Sequence, residues 1–72
     1  MIATLKRLYD NWWSERSLRR YDRGYDYVCR AMQRSPSDAT RTALEYEAGE
    51  EPHDMFNIGM QDALSNRPRR TT

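Results

Sequence analysis

Two eight-residue segments of this chain follow one pattern around a central glycine. YDRGYDYV occupies residues 21–28, and FNIGMQDA occupies residues 56–63, thirty-five positions later. Each segment reads aromatic, Asp or Asn, any residue, Gly, large side chain, Asp or Gln, any residue, small apolar. Glycine inside a helix costs about 1 kcal/mol relative to alanine. Two glycines at matched positions therefore require a structural or functional reason.

The favoured interpretation is a close crossing of two helices at Gly24 and Gly59. Without a side chain at these positions, two helix backbones can approach each other closely. The side chains expected to pack around the crossing are Tyr21, Tyr25, Val28, Phe56, Met60 and Ala63. Chance similarity, a bend, or the approach of a ligand at each glycine are the alternatives. At positions where the two segments differ, such as Tyr27 in the first and Asp62 in the second, each segment can form a different surface.

Apolar side chains recur at steps of three and four in two stretches, which is the spacing of one helical face. The first stretch predicts a helix over residues 2–13, and the second predicts a helix over residues 16–33. The two faces do not join near Ser14, because the second stripe continued backwards meets polar residues. A capped break and one long helix with two faces both produce this pattern, and no Pro or Gly decides between them.

Serine, proline and glycine predict the bounds of a further helix over residues 36–48. Ser35 is the expected N-cap, Pro36 the first helical residue and Gly49 the stop signal. The weak apolar stripe of this helix consists of Ala39, Ala43 and Tyr46.

A last helix is expected to start at Pro52 or Asp54, with Asn66 and Pro68 as the residues that end it. The tail that follows, residues 67–72, has no apolar residue and is expected to be disordered. No stretch alternates with the two-residue period of a strand. The sequence therefore predicts an all-α protein with one domain over residues 1–66, a compact bundle of three or four short helices arranged as helical hairpins.

The size of the chain favours self-association. A chain of 72 residues buries only about 60% of the surface that its unfolded form exposes, and small domains usually gain stability from disulfides, a metal or a partner chain. Cys29 is the only cysteine and His53 the only histidine. This excludes an intrachain disulfide and leaves too few soft ligands for a structural zinc. A homodimer is therefore expected, and no cofactor is.

Charge is divided unevenly along the chain. Residues 1–34 carry a net charge of +4, residues 35–66 carry −6, and residues 67–72 carry +3. The two halves can fold together or pair with a second copy. No run approaches the ~18 apolar residues of a membrane span, and the N-terminus lacks the apolar core and cleavage site of a signal peptide. A cytoplasmic protein with no membrane partner is expected.

Tryptophan and arginine mark the predicted partner surface. Trp12 and Trp13 point about 100° apart on a helix, so Trp13 is expected at an interface if Trp12 is buried. The predicted surface consists of Tyr9, Trp13, Arg16, Arg19, Arg20 and Arg23. Arginine binds carboxylates and phosphates bidentately and tyrosine stacks on bases, so DNA or ribosomal RNA is the alternative partner. The second candidate surface is the acidic stretch Glu45, Glu47, Glu50, Glu51 and Asp54.

The two glycine motifs resemble short aromatic-Asp-x-Gly segments of small phage and prophage accessory proteins, which are compact helical chains. The resemblance covers about sixteen residues and implies a protein that binds a host protein and alters its activity, for example as an inhibitor. A second similarity is to ribosome modulation factor, which pairs an Arg-Gly-Tyr segment with a later aromatic-Gly segment and implies ribosomal RNA as the partner. That family is strongly basic, whereas the second motif of this chain lies in the acidic half.

Catalysis has little support in the sequence, although His53 with Asp54 could suggest a base with an orienting carboxylate and Cys29 could be a nucleophile if a base came close to it. His53 lies beside Asp54 in a predicted turn, where Asp is an expected helix cap, and Cys29 lies among apolar neighbours. The sequence contains no phosphate-binding glycine loop, metal-ligand spacing or carboxylate dyad. We therefore expect a non-catalytic regulatory protein that binds another protein and modulates it.

Overall fold

Three helices follow one another in the computed structural model, which describes residues 15–70. They are α1 (Glu15–Arg34), α2 (Asp38–Glu50) and α3 (Met55–Leu64). These residues contain no strand, and the all-α class is confirmed for this part of the chain. α1 covers the whole of the predicted helix 16–33 and continues one residue beyond its predicted C-terminal end; Glu15 is also the first residue that the structure describes. The predicted helix 2–13, the question of a break near Ser14, and the expectations for Tyr9, Trp12 and Trp13 lie outside the described residues.

The predicted bounds of α2 are wrong at both ends. The N-cap is Ser37, not Ser35: its backbone is extended, and its Oγ accepts a hydrogen bond from the Thr40 backbone N–H at 3.2 Å. Pro36 therefore precedes the cap instead of opening the helix. Gly49 does not end the helix either, because no glycine in the described residues has a positive φ, and α2 continues to Glu50.

The buried face of α2 also differs from the predicted stripe. Leu44 and Ala48 are buried, whereas Ala39 and Ala43 are exposed. Tyr46 is 75% exposed. α2 packs the face that carries Leu44 against the core, because burial of Leu44 removes more apolar surface from water than burial of Ala39 and Ala43 would.

Both ends of α3 have specific caps. Asp54, one of the two predicted start residues, is the N-cap, and its carboxylate accepts from the Phe56 backbone N–H at 3.1 Å. The helix ends at Leu64, two residues before the predicted end, with Ser65 as the C-cap, and Asn66 follows with a φ of 58°. The Asn66 N–H donates to the Ala63 carbonyl at 3.2 Å, and the Arg67 N–H donates to the Asp62 carbonyl at 2.9 Å. This pair of bonds is the left-handed helix stop that asparagine tolerates well.

The glycines of the repeat lie where α1 crosses α3. A Cβ added to Gly24 would lie 2.7 Å from the Phe56 carbonyl carbon and closer still to its oxygen. A Cβ on Gly59 would lie 2.9 Å from the Tyr25 nitrogen, and the Tyr21 carbonyl would be in its way as well. Tyr21 and Phe56 occupy the same position in the two copies of the pattern. Each glycine therefore faces the backbone of the other copy, at equivalent points.

The core forms two clusters beside this crossing. The larger contains Val28, Leu44, Ala48, Met60 and Leu64, with Ala31, Met32, Phe56 and Ala63 packed against it. The smaller contains Tyr21 and Met55, with Leu18, Tyr25 and Ile58 packed against it. α2 joins the molecule mainly through α3. The helices of residues 15–70 are all too short or too polar to cross a membrane.

Candidate functional site

Arginines divide into two groups in the described residues. Six form ion pairs with carboxylates: Arg19, Arg20, Arg41, Arg67, Arg69 and Arg70. The other four have no ion pair or hydrogen bond within residues 15–70 and all lie on α1: Arg16, Arg23, Arg30 and Arg34. Within residues 15–70, the unpaired arginines are therefore all on α1.

Three of these arginines line one groove. Arg23, Tyr27, Arg30 and Arg34 follow each other on α1 at steps of four, three and four, which puts them on a single helical face. Ala31 and Phe56 complete the apolar part of the groove, whose volume is about 410 Å³. Arg23 and Arg34 are eleven residues apart, which is about 16 Å along the helix axis.

Aromatic rings form the wall of the groove. The Tyr27 and Phe56 rings lie 5.7 Å apart between centroids, at 48°. Phe56 reaches this position because its backbone lies against Gly24. Tyr27 is 41% exposed, and its hydroxyl donates to Glu47 of α2 at 3.1 Å, which raises the pKa of Tyr27 above its ordinary value. Together, the crossing and this hydrogen bond hold two rings beside three cations.

Asp26 is the one carboxylate among the residues that line this groove, and the C-terminal tail neutralises it. Arg69 forms a short ion pair with Asp26 and a second, at 3.4 Å, with Asp22. Its guanidinium carbon lies 4.7 Å from the centre of the Tyr25 ring, a cation–π distance. The hydrogen bond to Asp26 raises the pKa of Arg69 above its ordinary value.

A second polar cluster lies at the end of α3, around Asp62, which is 2% exposed. It accepts hydrogen bonds from the Tyr21 hydroxyl at 2.6 Å and from the Arg70 guanidinium at 2.9 Å. The Arg70 backbone N–H donates to the Tyr21 hydroxyl at 3.1 Å. Burial and the hydrogen bond to Asp62 raise the pKa of Tyr21 to about 12. The buried carboxylate is thus paired and hydrogen-bonded, the condition under which burial of a charge is tolerated.

Residues 67–70 form neither helix nor strand, in keeping with a tail that has no apolar residue. Their arginines nonetheless contact α1 and α3 through Asp22, Asp26 and Asp62, and the Arg67 carbonyl accepts from the Tyr25 hydroxyl at 2.7 Å. These contacts were not anticipated from the sequence, because composition alone does not show which carboxylates the folded chain brings together.

The structure separates the predicted arginine surface into two parts. Arg19 pairs with Glu15 at 3.1 Å, and Arg20 pairs with Asp54. Arg16 and Arg23 remain without such a partner in residues 15–70, and only Arg23 lines the groove.

Of the residues that line the groove, sequence reasoning placed only Arg23 on a partner surface. It missed the other six: Asp26, Tyr27, Arg30, Ala31, Arg34 and Phe56. The regular spacing of Arg23, Tyr27, Arg30 and Arg34 was the signal available for the part on α1. The contribution of Phe56 depends on the crossing and is not visible in spacing.

The predicted acidic surface is partly occupied by contacts within the molecule. Glu45 pairs with Arg41 at 3.2 Å, Glu47 accepts from Tyr27, and Asp54 caps α3 while pairing with Arg20. Glu50 and Glu51 are exposed at the end of α2. The structure therefore does not bring these five carboxylates together as one free surface.

The residues considered for catalysis lie apart from the groove. His53 is exposed in the turn before α3, and Cys29 is half-buried on α1. Within residues 15–70, no three His, Cys, Asp or Glu side chains are grouped so that they could hold a metal ion.

Comparison with protein-family models, with curated proteins and with solved structures finds no match to this chain.

Proposed function

We propose that this chain is a non-catalytic interaction protein that binds an acidic segment of another protein and modulates that protein. The observation that carries the proposal is the groove of Arg23, Arg30 and Arg34, whose guanidinium groups have no carboxylate partner in residues 15–70. Every described arginine outside α1 is ion-paired. Three unpaired arginines along one wall favour an external anion as their partner.

Carboxylates suit these arginines well. The guanidinium group is planar and binds a carboxylate through two parallel hydrogen bonds. Tyr27 and Phe56 add apolar contact area beside the charges, and aromatic residues and arginine are the side chains that most often dominate binding energy at interfaces. An extended segment with acidic residues and an apolar side chain matches this combination.

Charge balance favours protein over nucleic acid as the partner. Residues 15–70 contain ten arginines and ten Asp or Glu residues, so a long phosphate backbone would meet as many carboxylates as cations. The Glu47 carboxylate, for example, accepts a hydrogen bond from the hydroxyl of Tyr27, which lines the groove. The cationic part spans about 16 Å of helix, which suits a short acidic segment.

Nucleic acid remains the second candidate because of one specific feature. Arg23, Arg30 and Arg34 line the groove together with the rings of Tyr27 and Phe56, and single strands are bound by cations combined with aromatic rings. The resemblance to phage and prophage accessory proteins supports the hypothesis that the partner is a protein. A host protein is then the expected partner, and inhibition is the expected effect.

Affinity capture tests the proposal. The tagged chain and a tagged Arg23→Glu, Arg30→Glu variant are incubated with lysate of the organism that carries the gene, with and without nuclease treatment. An Arg16→Glu, Arg19→Glu variant is the matched control, since it has the same change in charge outside the groove. The wild type and the control should retain a protein that the groove variant loses, and the purified partner should bind directly.

The other outcomes are equally distinct. Equal capture by all three proteins would contradict a role for the groove. Capture that depends on nucleic acid and weakens steeply with salt would favour the second candidate. If the tagged chain retains only untagged copies of itself, its partner is a second copy of the chain and not another protein, which contradicts the proposal. Sedimentation at micromolar concentration would show the expected homodimer independently.

A further inference from the structure

We infer that Arg69 of the C-terminal tail is a positioning residue that keeps the groove able to bind anions by holding Asp26 away from the groove arginines. This inference rests on the proposed function, because it concerns the regulation of the same site. Asp26 lines the groove together with Arg23 and Arg30. Its carboxylate is the internal competitor for any external anion.

Sequence spacing places Asp26 in reach of both neighbours. Arg23 lies three residues before it and Arg30 four residues after it, and these are the separations at which side chains meet on a helix. The order Asp then Arg at four residues is also the favourable one. An isolated α1 would therefore form the Asp26–Arg30 pair.

The folded chain forms a different pair. Asp26 accepts from Arg69 instead, and neither Arg23 nor Arg30 has an ion pair within the described residues. Arg69 also pairs with Asp22 at 3.4 Å and lies over the Tyr25 ring. Arg69 thus interacts with two carboxylates and one aromatic ring, whereas Arg30 would gain only the pair with Asp26. The Arg69–Asp26 pair is therefore the more favourable of the two.

The residues on either side of Arg69 hold the tail in place. Before it, the Arg67 carbonyl accepts from the Tyr25 hydroxyl at 2.7 Å. After it, the Arg70 backbone N–H donates to Tyr21 at 3.1 Å, and its guanidinium binds buried Asp62. The tail is thus anchored on both sides of Arg69, which contacts the groove carboxylate.

Without Arg69, Asp26 should therefore form an ion pair with Arg30, which reduces the positive charge available to an external anion in the groove. The test uses a double-mutant cycle on the full chain with Arg69→Ala, Asp26→Asn and both together. The probe is a fluorescein-labelled hexaglutamate peptide, measured by anisotropy at low salt. Arg69→Ala should weaken peptide binding about two- to fivefold, the effect of one exposed ion pair.

Asp26→Asn should restore the affinity that Arg69→Ala removes. In the Asp26→Asn background, Arg69→Ala should change the affinity little, because no competing carboxylate remains. Arg67→Ala is the matched control for the loss of one tail charge, and it should have a smaller effect than Arg69→Ala. Equal weakening by Arg69→Ala in both backgrounds would show a general charge effect and overturn the inference.

A second readout separates this inference from the proposed function. If Arg23→Ala leaves peptide binding unchanged, the proposed function fails. The Arg30 Nε–H resonance in nitrogen NMR then tests the inference without any ligand: it should shift on Arg69→Ala and should not shift when Asp26→Asn is also present. An Arg30 resonance that is insensitive to Arg69 in both backgrounds would contradict the inference.

Discussion

At the scale of single residues, Tyr27 and Asp62 show how the two copies of one pattern acquire different roles. They occupy the same position in the repeat. Tyr27 is 41% exposed and lines the groove, whereas Asp62 is buried beneath the tail. The sequence indicates that these positions can differ, but it gives no sign that Asp62 is buried, because its partners Tyr21 and Arg70 lie far from it along the chain or in an irregular tail.

The hydrogen bond from Tyr21 to Asp62 gives the first prediction of stability. Tyr21→Phe leaves a buried carboxylate with one donor fewer, which should lower the free energy of unfolding by about 1–3 kcal/mol. Tyr46→Phe is the matched control, since Tyr46 is 75% exposed and should change stability by less than about 0.5 kcal/mol. Urea denaturation followed by circular dichroism measures both. Equal effects of the two substitutions would contradict the role of the bond.

The pH dependence of this stability has a definite sign. The pKa of Tyr21 is raised from 10.0 to about 12 in the folded chain, so the folded state holds this proton more tightly than the unfolded state. The contribution of the Tyr21 hydroxyl is fully present below pH 10 and is lost as pH rises towards 12. The difference in unfolding free energy between wild type and Tyr21→Phe should narrow over that range, and a constant difference would contradict the raised pKa.

At the scale of elements, α2 shows why helix bounds are harder to predict than helices. Ser35 and Ser37 are both good N-cap residues, and the sequence offers Pro36 as a reason to choose the first. Tertiary structure determines which serine caps the helix, because α2 must be placed so that Leu44 and Ala48 pack in the core against α3. α1 has a strong apolar stripe, and its C-terminal end was predicted to within one residue.

The position of this cap gives a prediction at the same scale. Ser37→Ala removes the acceptor for the Thr40 N–H and should cost about 1 kcal/mol of stability. Ser35→Ala removes only an exposed hydroxyl that accepts from the Thr40 side chain, and it should cost less. Thermal denaturation of the two variants measures the difference, and a larger loss with Ser35→Ala would place the cap at the residue that the sequence suggested.

At the scale of the whole molecule, the crossing of α1 and α3 connects the fold to the candidate site. Close contact at Gly24 and Gly59 brings Phe56 beside Tyr27, and this forms the aromatic wall of the arginine groove. The repeat pointed to the crossing because glycine at matched helical positions has few other uses. It carried no information about the tail, whose contacts depend on which carboxylates the crossing brings near residues 67–70.

The central claim, that the molecule is organised around backbone contact at two glycines, is tested most directly by alanine at each of the three glycines. Gly24→Ala and Gly59→Ala place a methyl group against backbone atoms and should each lower the free energy of unfolding by about 2 kcal/mol or more. Gly49 is also helical, but a Cβ added there would have no neighbour within 4 Å. Gly49→Ala should therefore raise the free energy of unfolding by about 1 kcal/mol. Urea denaturation of the three variants should give opposite signs for the crossing glycines and for Gly49; stabilisation by all three would contradict the crossing.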